Sequence, residues 1–276
     1  MNYRHAYHAG NFADVVKHAL MVRILLYLMR KDAPLRFIDT HAGIGRYDLS
    51  SEEAQRTGEW RGGIGLLAEA SLSPASAELL KPYLDLALAE PMRYPGSPMI
   101  AQKLLRAQDR MSLCELHPHD ERRLVKAVGR DPRMKVLAMD GYQGLRASVP
   151  PPERRGLVLI DPPYEQRDEF ETLALELERA WTKWPTGTYA IWYPLKATPE
   201  VDAFRACLSQ GKIRRVLCLE LLIDDVQSEG PLKGTGLIVI NPPFVFEAEA
   251  RQLLPELARI MAQGRAQHRI SWLAGE

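Results

Sequence analysis

Four residues that close a short apolar run, Asp161-Pro162-Pro163-Tyr164, combine groups suited to chemistry on an aromatic amine. The exocyclic amino group of a base is a weak nucleophile because its lone pair is delocalised into the ring. A strong base is of less use to it than hydrogen-bond acceptors that draw the NH2 group toward tetrahedral geometry. The Asp161 carboxylate and the carbonyl of Pro162, a residue with no N–H of its own, supply acceptors aimed one way. Tyr164 adds a ring face on which an extruded base can stack.

The run that leads into this motif, Gly156-Leu157-Val158-Leu159-Ile160, has the length and branched-aliphatic content of a strand buried on both faces. Two prolines cannot continue its ladder, so Asp161 stands at the strand's carboxyl end, where open α/β sheets bind their ligands. Three earlier strand candidates also end in acids: Leu35 to Asp39, Met111 to Glu115 and Met134 to Asp140. The first is followed by Ala42-Gly43-Ile44-Gly45, glycines that let the backbone turn tightly and approach a ligand closely. A carboxylate after the second strand can accept from both ribose hydroxyls, which is the expectation for Glu115, and Asp140 with Gly141 suits the adenine end. One such acid would be a solvated loop residue; four in register predict a nucleoside cofactor. A dinucleotide is disfavoured, because Asp48 stands where the third glycine of G-x-G-x-x-G belongs.

Other elements must hold these strand ends in place. Asn11 is a good N-cap, and Val15, Ala19, Val22, Leu26 and Met29 recur at helical spacing, predicting a helix from about Phe12 to Arg30. Upstream, Tyr3 to Gly10 is dense in aromatic and cationic groups and reads as a packed tail or a lid. The delay between Arg46 and about Tyr94 predicts a small helical insertion subdomain, residues 47–94. In Pro95-Gly96-Ser97-Pro98, Ser97 reads as an N-cap and Pro98 as the first helical residue. Strands at Arg215–Leu222 and Gly236–Ile240, with no obvious helix between them, predict an antiparallel hairpin. That hairpin would carry Asn241-Pro242-Pro243-Phe244, a near-copy of the first motif, to the opposite sheet edge in a structural role. Trp181, Trp184 and Trp192 read as packing residues.

The 276 residues are 46% hydrophobic and 26% charged, ordinary for a globular chain with a sizeable core. A formal net charge of +1 argues against a protein that coats nucleic acid, although a local basic face can hide in a balanced total. Cys114, Cys207 and Cys218 form no CxxC pair, which fits a reduced cytoplasm. Met1 to His5 leads into polar sequence, so no signal peptide is expected, and Ala19 to Met29 is too short to span a bilayer of ~30 Å. His5-x-x-His8 lacks the further ligands that a metal site requires.

Taken together, Tyr3-Arg4-His5-x-x-His8-Ala9-Gly10-Asn11-x-Ala13-Asp14-Val15-x-Lys17-His18, Asp39-Thr40-His41-Ala42-Gly43, Tyr94-Pro95-Gly96-Ser97-Pro98, Glu115-Leu116-His117-Pro118, Asp161-Pro162-Pro163-Tyr164 and Trp192-Tyr193-Pro194 resemble the RlmJ family. These bacterial enzymes N6-methylate an adenosine of large-subunit (23S) ribosomal RNA. The resemblance covers nearly the whole chain. It implies a single α/β domain over residues 1–276, a Rossmann-like class I methyltransferase with a mostly parallel seven-stranded sheet and a terminal antiparallel hairpin. It implies S-adenosylmethionine as cofactor, in contact with His18, His41, Gly43, Ser97, Glu115, Asp140, Gly141 and Asp161, with Lys17 beside the pocket. Asp161, Pro162 and Tyr164 would act on the target amine and Tyr3 would lie near the base. The expected partner is 23S ribosomal RNA, for a cytoplasmic monomer with no metal and no membrane attachment. The competing readings are a DNA or other RNA amino-methyltransferase and a catalytically silent RNA-binding protein of the same fold.

Overall fold

The computed structural model describes residues 4–227 and 230–275. Its centre is α1 (Phe12–Leu28), whose sequence from Phe12 to Leu28 is apolar on nearly every side. A helix with no polar face has to be buried all round. Here α1 lies against the sheet and is covered by three further helices: α4 (Pro74–Ala87), α5 (Ser97–Leu104) and α10 (Phe246–Met261). Of its charged residues, Arg23 faces α10, where its guanidinium meets Glu249 with two parallel 2.8 Å hydrogen bonds.

The sheet has eight strands: β1 (Arg36–Asp39), β4 (Arg110–Cys114), β5 (Met134–Leu137), β6 (Gly156–Ile160), β7 (Thr188–Pro194), β8 (Val216–Leu222), β9 (Gly234–Ile240) and β10 (Gln267–Ala274). Their order is β10-β8-β9-β7-β6-β1-β4-β5. The run β7-β6-β1-β4-β5 is parallel, while β9 is antiparallel to both β7 and β8. Strand order reverses between β1 and β6, so loops after these strands diverge and leave a crevice above their carboxyl ends. Alternate residues of β6 serve the two faces. Leu157 and Leu159 join the core beneath α1, and Val158 and Ile160 join the core beneath α7 (Gly141–Ser148), α8 (Glu169–Lys183) and α9 (Pro199–Gln210).

The predicted hairpin is present as β8 and β9, and β9 inserts between β7 and β8. The sheet exceeds the expected seven strands by one, because β10 adds antiparallel to β8 at the edge. Its residues are mostly exposed or half-buried, so no burial alternation marks it in the sequence. Residues 47–94 contain α2 (Glu52–Thr57), α3 (Ile64–Glu69) and α4, and a two-stranded ribbon pairs β2 (Arg46–Asp48) with β3 (Arg93–Pro95). Helices α3 and α4 pack on α10, and α4 packs on α1 as well. One helix start differs by a residue from expectation. Gly96 is the N-cap of α5 and Ser97 is its first residue, because the Ser97 hydroxyl is directed to Asp39 at 2.6 Å rather than to a helix amide.

Leu20 is fully buried in the middle of α1. Leu20→Ala should destabilise the fold by about 2–5 kcal/mol, the cost of a lost side chain plus the cavity it leaves. Urea unfolding monitored by circular dichroism tests this; a loss below about 1 kcal/mol would mean that α1 is not the centre of the core.

Candidate active site

A cleft of about 940 Å³ opens over the carboxyl ends of β1, β4, β5 and β6, near the upper end of small-molecule sites. Lys17, His18, His41, Gly43, Ser97, Glu115, Asp140, Gly141, Asp161, Pro162 and Tyr164 all line it. They come from α1 and from five separate loops or helix starts. Tyr3 lies outside the described residues.

The cleft is built around one ammonium. Lys17 Nζ lies 2.5 Å from Asp161 Oδ2 and 2.8 Å from Asp14 Oδ1, with its side chain only 5% exposed. Burial alone would lower the pKa of this lysine, but Asp14 and Asp161 reverse the effect and hold it above the usual lysine range. Asp14 is buried on the first turn of α1, and its Oδ2 accepts from His5 Nε2 and from the Gly10 amide, both at 2.9 Å. Burial would raise its carboxyl; His5 and Lys17 outweigh that and hold it well below the usual range. Lys17 occupies Asp161 Oδ2 and no described residue donates to Oδ1, so the carboxylate is divided between a structural oxygen and an open one.

Two buried histidines present opposite polarity. Thr40 Oγ1 donates to the Leu159 carbonyl at 3.1 Å, so its 2.8 Å contact with His41 Nδ1 requires the ring to be the donor. That tautomer leaves His41 Nε2 a bare acceptor. His18 Nδ1 instead meets Tyr94 Oη at 2.8 Å, and Tyr94 meets Tyr83 at 3.0 Å. Both hydroxyl protons find acceptors if they run from Tyr83 to Tyr94 to His18, which leaves His18 Nε2–H a donor. Burial pushes His18 down to about 3 and His41 to about 4, so both rings are neutral at physiological pH.

The acids after the strands play different parts. Asp39 is fully buried, accepts from Ser97 Oγ and the His41 amide, and does not line the cleft. It is therefore a brace between β1 and α5 rather than the cofactor acid that its sequence position suggests. Glu115 accepts the amides of Gly43 and His117 at 2.9 and 2.8 Å, one on each oxygen. Burial outweighs those bonds and raises its carboxyl. Asp140 caps α7 through Oδ1, which takes both the Tyr142 and Gln143 amides at 3.0 Å, and Oδ2 accepts from no described residue. At Gly141 a Cβ would sit 2.6 Å from His41 Nε2, so only glycine admits this approach.

Tyr164 has a positive φ of 52°, which turns its ring back over the sheet. Its hydroxyl donates to the Trp192 carbonyl at 2.6 Å and the ring packs on Phe170 and Trp192. Trp192 packs against the core and also lines the cleft, with Lys17 Nζ 5.7 Å from its ring centroid. The near-copy behaves differently. Asn241 follows β9, whose last residues pair with the start of β7, at the sheet end opposite Asp161. Its side-chain amide donates to the carbonyls of Pro185 and Gly187, and Phe244 is 89% exposed.

The family model described as "Ribosomal RNA large subunit methyltransferase D, RlmJ" matches residues 32–274. The chain belongs to this family. The proteins named ribosomal RNA large subunit methyltransferase J of Haemophilus influenzae and of Escherichia coli K12 are each 38% identical to it over the full length of both chains. The crystal structure of protein LPL1258 from Legionella pneumophila is similar at 35% identity and a TM-score of 0.87, covering 96% of this chain and 98% of that one.

Within this family fold, sequence reasoning did not find Asp14, Thr40 or Tyr94, whose signals are ordinary: an acid in a first helical turn, a threonine after a strand, a tyrosine before Pro-Gly. Nor do His5 and His8 form a common metal site, since each ring faces its own acid, Asp14 and Glu59. Among the described residues His117, His119 and Asp120 form the one group with ligand-like spacing, at the start of α6 (Pro118–Val128).

Asp14→Asn removes one of the two charges around a buried ammonium and should cost about 3–5 kcal/mol in urea unfolding; a loss under 1 kcal/mol would show that Asp161 alone suffices. Burial raises Asp39 to about 7 against the bonds from Ser97 and His41, so its folded pKa exceeds its unfolded one. The folded state then binds the extra proton, and stability falls as pH rises from about 4 to 7, by at most ~1.4 kcal/mol per unit. Asp39→Asn should flatten that slope in pH-dependent urea melts, and an unchanged slope would refute the assignment.

Proposed function

We propose that this protein transfers a methyl group from S-adenosylmethionine to N6 of an adenosine in 23S ribosomal RNA. The observation that supports the reading most directly is the divided carboxylate of Asp161: Oδ2 held by Lys17, Oδ1 open to the cleft beside Pro162 and Tyr164.

The residues around the cleft fit the cofactor. Glu115 keeps a lone pair on each oxygen for ribose hydroxyls, Asp140 Oδ2 is open for an adenine amine, and Gly43 and Gly141 clear space for close approach. His18 Nε2–H suits a carboxylate, and His41 Nε2 suits a hydroxyl or ammonium donor. When bound, S-adenosylmethionine supplies an electrophilic methyl group on a sulfonium. The protein's part is placement. Asp161 Oδ1 and the Pro162 carbonyl accept the two N6 protons of the target, drawing its lone pair out of conjugation and toward the methyl. Lys17, kept charged by Asp14, fixes one oxygen of Asp161. The ammonium takes up no proton, so the proton that N6 sheds on methylation passes from its hydrogen bond at Asp161 Oδ1 to solvent. Tyr164 and Trp192 wall the space into which the base is extruded, and Tyr3 is proposed to meet that base. On the same reading residues 1–276 are one catalytic unit with residues 47–94 as an inserted helical buttress. It works as a cytoplasmic monomer without a resident metal. Among the described residues no helix is long and apolar enough to cross a membrane.

Nucleoside mass spectrometry of large-subunit RNA from cells with and without the gene should show one N6-methyladenosine lost in its absence. In vitro, Asp161→Ala should lower methyl transfer by at least ~10²-fold, while Asn241→Ala should leave it nearly intact. No loss of N6-methyladenosine, or the opposite ranking of the two variants, would overturn the reading.

A further inference from the structure

On the far side of the Gly43–Gly45 turn from the cofactor cleft lies a second hollow, of about 330 Å³, lined by Ile44, Arg46, Arg123, Lys126 and Ala127. The turn is a thin partition. Gly43 lines the cleft while Ile44 lines the hollow, and at Gly45 a Cβ would stand 3.1 Å from Leu124 of α6. The two spaces are therefore neighbours without being one site.

The cations around the hollow are poorly neutralised. Arg123 and Lys126, three residues apart on α6, are exposed and make no ion pair or hydrogen bond among the described residues. Arg46 has a 3.4 Å contact with Glu90, a long pairing between a half-buried and an exposed side chain. Arg122, on the same helix, is exposed as well. Of the two acids at the start of α6, Asp120 faces His119, and neither Asp120 nor Glu121 lines the hollow. The lining of the hollow itself thus holds three cations and no acid. Its shape adds to that excess. Two guanidinium groups and an ammonium stand around a floor of Ile44 and Ala127, a concave arrangement that a phosphodiester fills better than water does.

We propose that this hollow is a docking site for the phosphate backbone of the ribosomal RNA substrate, away from the adenosine that enters the cleft. The proposal rests on the function set out above and adds to it the face along which the RNA lies. Base recognition at Asp161 and Tyr164 involves a single extruded nucleotide and little of the surrounding charge. Backbone cations elsewhere supply affinity and register without reading sequence. The Gly43–Gly45 turn, fixed between the two spaces, ties the position of a docked backbone to that of the cofactor pocket.

The test is the double variant Arg123→Glu/Lys126→Glu in the full-length protein, with a large-subunit ribosomal RNA transcript as substrate. Both positions are solvent-facing and glutamate is a good helix former, so the fold should hold, which a thermal melt checks. The milder Arg123→Gln/Lys126→Gln removes the charge without reversing it and covers the case in which the first variant melts early. KM for the transcript should rise tenfold or more, with kcat and the dissociation constant for S-adenosylmethionine unchanged. The slope of log K against log salt should become shallower by about 1.5–2, the loss of two phosphate contacts. Lys81→Glu on α4 serves as a control for charge alone and should leave KM within about twofold. An unchanged KM in the double variants, or an equal rise in the control, would overturn the docking site alone. A wild-type protein that methylates no ribosomal RNA would instead remove the functional reading beneath it.

Discussion

Everything in the site depends on one charge placed where charge is expensive. Lys17 projects from a helix that is largely apolar and buried, and an ammonium moved from water into such surroundings costs several kcal/mol unless it is matched. Asp14, one turn earlier on the same helix, and Asp161, from the end of a central strand, supply that match. The requirement works in both directions. Lys17 holds one oxygen of Asp161 in place, and Asp14 and Asp161 together keep the buried ammonium charged. A tertiary contact between residues 144 positions apart thus fixes α1 against β6 and orients the open oxygen of the acid at the same time.

Around that pair the remaining polar groups obey the same rule, that a buried donor or acceptor must be used. Tyr83 and Tyr94 pass a hydrogen bond inward to His18, and Thr40 receives one from His41, so two rings of the same type end with opposite faces toward the cleft. The burial that makes these networks obligatory also removes the charge from both rings. The cleft wall therefore presents neutral dipoles set in fixed directions beside the Lys17, Asp14 and Asp161 cluster.

Much of this was legible in the sequence because strand ends announce themselves. An aliphatic run halted by Asp161-Pro162-Pro163 can hardly be anything but a buried strand and its exit loop, and the order of strands, acids and helices then follows. The separation of Asp161 from Asn241 also came from the sequence, since an antiparallel strand must deliver its end to the other side of the sheet. What was hidden depended on pairings with distant residues. Asp39 looks like its neighbours Glu115 and Asp140 in one dimension, and only the meeting with Ser97 shows it to be internal. Asp14 reads as a favourable acid near a helix amino terminus, and nothing local reveals that it faces a lysine and a histidine. Strand β10 is half in water and gains its identity from β8, while β2 and β3 are three residues each and exist as strands through each other. Helix α10 is amphipathic, yet what it covers is the first helix of the chain.

That last contact bears on how the protein is made. Helix α1 is synthesised well before α10, and its apolar surface is complete only when α10 covers it and Arg23 meets Glu249, 226 residues later. At 5–20 residues per second that interval is on the order of tens of seconds. Throughout it the helix bearing Asp14, Lys17 and His18 lacks α10 as its cover, and β7 lacks β9 as its neighbour. The helix that carries Asp14, Lys17 and His18 and the sheet it lies on are therefore completed together, by the segment that runs from β9 through α10.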